Sequence, residues 1–369
     1  MVINRDNPRI TLSINHQPNM KKQILSVFSG LALFSGSLMA APLQRSHVSA
    51  DAKWIVHLDM EGLRQSQFGS AILKFALTEF GDELKDRVKL DVPAIVNQTS
   101  SITAYGDDFK PGPEGRGVLI WQGSKEIEQV VTAILLQQSE ASKAGEGSIK
   151  AMGGGLNPVY EISPNLYTAV RPGQGILVSP KIDQIHDACR IIEGKASSLK
   201  DEPTFSEYTA QSGGFFLVAL AEGFVRDAGL PPQAQVLKLA EGGRIALGEA
   251  AGKLQLSVNL KANTTENAVQ IQQVIQGLVA LAGLADVDEP ELAQVKDWVR
   301  SAQVTSKEKI VSLDLAVPVD AALNQLSSAT GHQLGSAGEK TVPAPEEKPA
   351  PSPQASSEST PAPAVDPAR

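Results

Sequence analysis

A chain of 369 residues with 41 acidic and 33 basic side chains, five histidines, one cysteine and 5% aromatic residues excludes several functions at once. A single cysteine rules out an internal disulfide framework and any multi-cysteine zinc or iron–sulfur site. A formal net charge of −8 argues against nucleic acid and anionic lipid as main partners.

The first element is an address. Met20-Lys21-Lys22 is a short basic start, and the apolar run Ile24 to Phe34 is broken only by Ser26, Ser29 and Gly30. Ser35-Gly36-Ser37 follows, and Ala40-Ala41 supplies a small-residue cleavage point. This is the layout of a secretory signal peptide, too short for a membrane span. Residues 1–40 are therefore read as a leader, with translation starting at Met20 or with an extended polar start from Met1. The lone cysteine is Cys189, so none follows the apolar run to carry a lipid, and the expectation is a periplasmic or secreted protein without a transmembrane anchor. Loss of the leader removes four cations and one anion, moving the charge from −8 to −11.

Residues 41–200 and 201–338 read as two α+β modules built on one plan. Trp54 to Met60 is a strand leading into Glu61-Gly62-Leu63, and Phe215 to Ala221 is a strand leading into Glu222-Gly223-Phe224. Helical stretches follow at Gln65 to Phe80 and Val225 to Ala240. Second strands are expected at Ser101 to Tyr105 and Arg244 to Leu247, third strands at Gly117 to Trp121 and Leu254 to Leu260. Ser124 caps a helix whose Ile127, Val130, Val131, Ile134 and Leu135 share a face, and Asn263 with Glu266 caps its counterpart. Gly175 to Pro180 aligns without gaps on Leu313 to Pro318 as the closing strands. The order β-α-β-β-α-β predicts two tandem ferredoxin-like modules, each with its own antiparallel sheet. The first copy is longer, and the extra segment falls at Gly81 to Asn97. From Glu339 to Arg369 the chain is rich in Pro, Ala, Ser and Glu, a composition that cannot offset its ordering entropy and reads as a disordered tail. This layout resembles uncharacterised exported bacterial proteins in which an α+β module is duplicated between a signal peptide and a low-complexity tail; that resemblance implies a class and no reaction.

Among candidates for chemistry, His57, Asp59 and Glu61 alternate along the first strand and so share a face. A His–carboxylate pair there suits a general base or two metal ligands. Against this, the second copy carries Val218 and Leu220 at the positions of His57 and Asp59. His186 and Cys189 sit three apart in a helix, but Ile182, Ile185, Cys189 and Ile192 form an apolar stripe that turns the thiol toward the core. Gly338-Glu339-Lys340-Thr341, Ser197-Ser198-Leu199-Lys200, Gly153-Gly154-Gly155 and the acidic run Asp286, Asp288, Glu289, Glu291 each lack the flanking residues of the motifs they approach. No cofactor is implied. The expected function is an exported binding or cell-envelope structural protein, taking a protein or small-molecule ligand or self-associating. The alternative is a hydrolytic or metal-assisted enzyme using His57 and Asp59.

Overall fold

The computed structural model describes residues 41–88, 91–110, 114–143, 149–152, 158–209, 214–223, 232–284 and 290–332, together with Leu334. The expected leader (residues 1–40), the expected tail (339–369), Gly153-Gly154-Gly155, Gly338 to Thr341, and Asp286, Asp288 and Glu289 lie outside the described residues.

Twelve strands are described: β1 (Trp54–Asp59), β2 (Thr99–Gly106), β3 (Gly117–Gly123), β4 (Lys150–Met152), β5 (Val159–Ser163), β6 (Leu166–Arg171), β7 (Gly175–Ser179), β8 (Phe215–Glu222), β9 (Ala240–Ala250), β10 (Lys253–Ala262), β11 (Gln303–Lys307) and β12 (Ile310–Pro318). They form one antiparallel sheet in the order β11-β12-β10-β9-β8-β1-β2-β3-β7-β6-β5-β4. The fold is mixed α+β. The tandem ferredoxin-like expectation meets two corrections. First, β1 pairs with β8, Trp54 opposite Ala221 and His57 opposite Val218, so both halves share one sheet. Second, each strand from β1 to β3 and from β8 to β10 pairs with its neighbour in sequence. A ferredoxin-like order would set the first and third strands side by side and parallel. The free edges of β1 and β8 satisfy their backbone groups on each other instead of within their own halves.

Among the described residues nine α-helices accompany the sheet. α1 (Met60–Gln65), α2 (Gln67–Val88) and α3 (Val92–Gln98) follow β1, and α4 (Lys125–Lys143) follows β3. α5 (Ile182–Ile192) and the short α6 (Ser206–Thr209) lie between β7 and β8. α7 (Thr265–Leu284), α8 (Pro290–Arg300) and α9 (Val319–Thr330) belong to the second half. Ser124 does cap α4, its hydroxyl accepting from Ile127 N at 3.4 Å. The cap of α7 is Thr264, one residue after the expected Asn263, with Asn267 N donating to its hydroxyl at 3.1 Å. The expected helix from Val225 is described only from Pro232, where it is a 3-10 helix to Leu239. β4, β5, β6 and β11 have no counterpart in the sequence expectations.

Directly opposed residues in antiparallel strands point to the same side. On one side, which we call the inner face, Ile55, Tyr105, Val118, Ile120, Leu177, Val218, Leu220 and Ala246 form a core with Val48, Ile185, Cys189, Leu199, Phe205 and Tyr208. That core takes residues from both halves. Residues 200 and 201 sit in a 3-10 turn, Leu199–Asp201, whose Leu199 is fully buried. Arg45 fastens the incoming chain there: its Nη2 donates to the carbonyls of Leu199, Glu202 and Thr204, each at 2.8 Å. On the outer face three separate cores lie under helices. One, with Ile127 and Leu135 of α4, covers Tyr160, Val170 and Ile176. A second, with Met60, Leu63, Val319, Ala322 and Leu323, covers Leu254, Leu315 and Val317. The third, with Ala268 and Ile271 of α7, covers Val311.

Candidate functional site

His57 and Asp59 do come together, at the inner face of the sheet's central strand, and both are buried, at 4% and 1% exposure. Asp59 ends β1 and caps α1, its Oδ1 accepting from Glu61 N and Gly62 N at 3.0 Å each. Its Oδ2 accepts from Ala41 N at 3.1 Å. His57 Nε2 lies 2.9 Å from the Ala41 carbonyl oxygen, and Nδ1 lies 2.9 Å from Thr103 Oγ1. A carbonyl only accepts, so Nε2 carries the hydrogen and Nδ1 accepts from the threonine hydroxyl. Burial pushes the His57 pKa below its ordinary value, outweighing the opposing pull of the Ala41 carbonyl and the Asp59 charge. The imidazole is therefore neutral at neutral pH. Each nitrogen of His57 and each oxygen of Asp59 is bonded within the chain, and the group they hold is Ala41.

His186 is exposed on α5, while Cys189 is buried beside Ile185 and Ile192. Burial pushes the thiol pKa up, the opposite of what a nucleophilic cysteine requires. Among the described residues no group of three or more His, Cys, Asp or Glu could hold a metal ion. Ser198 is buried next to the 3-10 turn. Trp298 is core at 9% exposure, and Trp54 and Trp121 are half-buried.

Sequence reasoning missed a polar patch on the inner face of the second half. Arg244 is 1% exposed, lies with its guanidinium carbon 4.8 Å from the centre of the Phe215 ring, and donates to Asn259 Oδ1 at 3.3 Å. Asn259 donates to Ser312 Oγ, and Ser257 donates to Asp314 Oδ1, both at 2.8 Å. Burial lowers the Arg244 pKa to about 10 and raises that of Asp314. Alternating polar residues in β10 (Gln255, Ser257, Asn259) were the available signal.

The outer face carries a different feature. Following the register, Leu119, Ala104, Val56, Ala219, Ile245, Val258 and Leu313 stand opposite one another in a single row across β3, β2, β1, β8, β9, β10 and β12. None of them belongs to any of the four apolar cores. Leu119, Val56 and Ile245 are 37%, 39% and 50% exposed, respectively. Beside this row Trp54 lies over Gly106 and Gly117; a Cβ at Gly106 would overlap the Trp54 ring and the Arg116 carbonyl. The Trp54 indole N–H donates to the Asp108 carbonyl at 2.6 Å. With the ring held over those glycines, Ala219, Ala221 and Gly243 form the floor of a trough of about 670 Å³, walled by Trp54 and Phe109 on one side and Ile245 and Leu260 on the other. A second groove of about 750 Å³ runs between α4 and the start of the described chain, lined by Ala41, Ser101, Gln122, Glu128, Thr132 and Gln174 among others. Glu128 there is already engaged, accepting from Gly173 N at 2.8 Å.

No family model matches the sequence, and no curated protein matches it. Among solved structures the chain is similar to TP0453. Its crystal form IV gives a TM-score of 0.45 at 11% identity, covering 79% of this chain and 96% of that one. Crystal form III gives 0.44 at 13% identity, covering 78% and 99%. Likeness at that level says nothing about activity.

Proposed function

We propose that the chain is an exported binding protein, working outside the cytoplasm after loss of residues 1–40, and that it takes a small apolar molecule in the outer-face trough at the junction of its two halves. The observation that carries this reading is the apolar row from Leu119 to Leu313, which belongs to none of the four cores among the described residues, with exposed Val56 and Ile245 beside a trough of about 670 Å³. Pockets of that size suit drug-sized ligands, and apolar surface left open at the middle of a sheet marks a binding site. The two halves are read as copies of one module, which supports placing a ligand on the boundary they share, and the tail as a spacer.

The enzymatic alternative at His57 and Asp59 draws no support from this geometry, because a general base or ligand pair needs an atom free for the substrate. The reading is tested with the exported protein and the apolar fluorophore 1-anilinonaphthalene-8-sulfonate. Ala219→Phe, which fills the trough floor, and Ile245→Asp, which charges its wall, should each abolish saturable binding while circular dichroism is unchanged. Binding that survives both substitutions contradicts the trough as the site.

A further inference from the structure

Ala41 is where the sequence and the geometry meet. The small-residue pair Ala40-Ala41 closes the leader pattern, and the main chain of Ala41 is the group that His57 and Asp59 hold. We propose that residues 1–40 are removed by hydrolysis of the Ala40–Ala41 peptide bond, and that the α-ammonium created at Ala41 is held by the Asp59 carboxylate as a buried ion pair. The inference rests on the exported reading above.

The reaction is an ordinary peptide hydrolysis by a signal-peptidase-type protease. Water adds across the C–N bond, Ala40 leaves with the carboxylate, and the Ala41 amine takes a proton to become an ammonium. The nitrogen already lies 3.1 Å from Asp59 Oδ2. Before cleavage it offers one N–H; afterwards it offers three and a full positive charge. Asp59 is 1% exposed, and no lysine or arginine among the described residues forms an ion pair with it. Buried charge is costly unless paired, so this carboxylate gains a counter-ion when the leader is removed. His57 completes the seat by donating from Nε2 to the Ala41 carbonyl, and Gly62 keeps it open, since a Cβ there would lie 2.6 Å from Asp59 Oδ2. Processing and folding are thereby coupled: the terminus made on export is held by two side chains of the central strand.

Two measurements test this. The first residue of the exported protein, read by terminal sequencing, should be Ala41. A first residue elsewhere beyond the apolar run overturns the inference and leaves export standing, whereas a chain that keeps residues 1–40 overturns the exported reading itself. The second compares urea unfolding of the exported protein with that of a form carrying Gly-Ser-Gly-Ser between Ala40 and Ala41, so that Ala41 N stays an amide. Asp59→Asn should lower the folding constant roughly tenfold more in the processed protein than in the extended one. Equal losses reduce Asp59 to a cap and contradict the ion pair. Should Asp59→Asn fail to fold, the wild type gives the answer through the Ala41 methyl resonance. Its titration midpoint should lie above the ordinary α-amino range of about 7.7–8.0, and a midpoint within or below that range contradicts the pair.

Discussion

β1 and β8 lie side by side at the centre of the sheet, and on the same inner face they carry opposite chemistry. β1 presents Ile55, His57 and Asp59; β8 answers with Leu220 opposite Ile55 and Val218 opposite His57. Aligning the two strand phrases in sequence also sets His57 against Val218, so the position that corresponds to His57 is the one that faces it. The polar pair occurs only where an incoming main chain has to be held, at Ala41. The apolar pair joins the inner-face core that also holds Phe205, Tyr208 and Ile185. Polar residues on a strand face are thus explained by what lies across them, and here it is the chain itself.

That comparison is broken most severely by removing the carboxylate. Asp59→Ala should cost about 4 kcal/mol in urea unfolding, since it strips the cap of α1 and the partner of Ala41 together. Leu220→Ala, on the apolar strand, should cost about 3 kcal/mol through cavity formation. If both losses were equal to those of exposed positions, the central pairing would not be the core of the fold. Next in size is Gly106→Val, expected to cost about 2 kcal/mol because the Trp54 ring and the Arg116 carbonyl occupy the space of its side chain.

The His57 side of the comparison is sharpened by pH. Its folded-state pKa lies below the unfolded value, so between the two the unfolded chain binds more protons. Stability is present in full above the unfolded value of about 6.5 and declines as pH falls through the window down to the folded pKa. His57→Gln, which can still donate to the Ala41 carbonyl and accept from Thr103, should flatten part of that decline between neutral and mildly acidic pH. The remainder belongs in part to His47, whose pKa burial also lowers. An unchanged slope would mean that His57 is not buried as neutral imidazole. The smallest effect is expected on the outer face: Val56→Ser should shift stability by no more than about 0.5 kcal/mol, as at other exposed sites, while weakening apolar binding.

Much of this arrangement is legible in the sequence, and the limits have physical causes. Strands β1, β2, β3, β7, β8, β9, β10 and β12 show as apolar runs, and α4 shows through its 3.6-residue period. The helix stripe at Ile185, Cys189 and Ile192 places the thiol in the core. β5 and β6 had a signal in the β-branched and aromatic runs Val159-Tyr160-Glu161-Ile162 and Tyr167-Thr168-Ala169-Val170 around the turn residues Pro164-Asn165, where Asn165 takes a left-handed φ of 61°. The joining of β1 to β8 is a long-range pairing between strand edges, and no local pattern encodes which edges meet. For the same reason the spacing of His57 and Asp59 revealed a shared face, while their partner Ala41 became visible only in three dimensions. The apolar row was half written: Trp54, Val56 and Leu58 alternate with His57 and Asp59, so β1 had to carry apolar side chains on the face opposite the pair.

The most direct test of the functional account is a titration of the methyl-labelled protein with 1-anilinonaphthalene-8-sulfonate, followed by NMR. The account predicts saturable shifts centred on the methyls of Val56, Ala219, Ile245 and Leu260, with Ile185 and Leu323 in the cores unmoved. Shifts confined to Ala133, Leu136 and Val170 beside the other groove, or none at all, would contradict it.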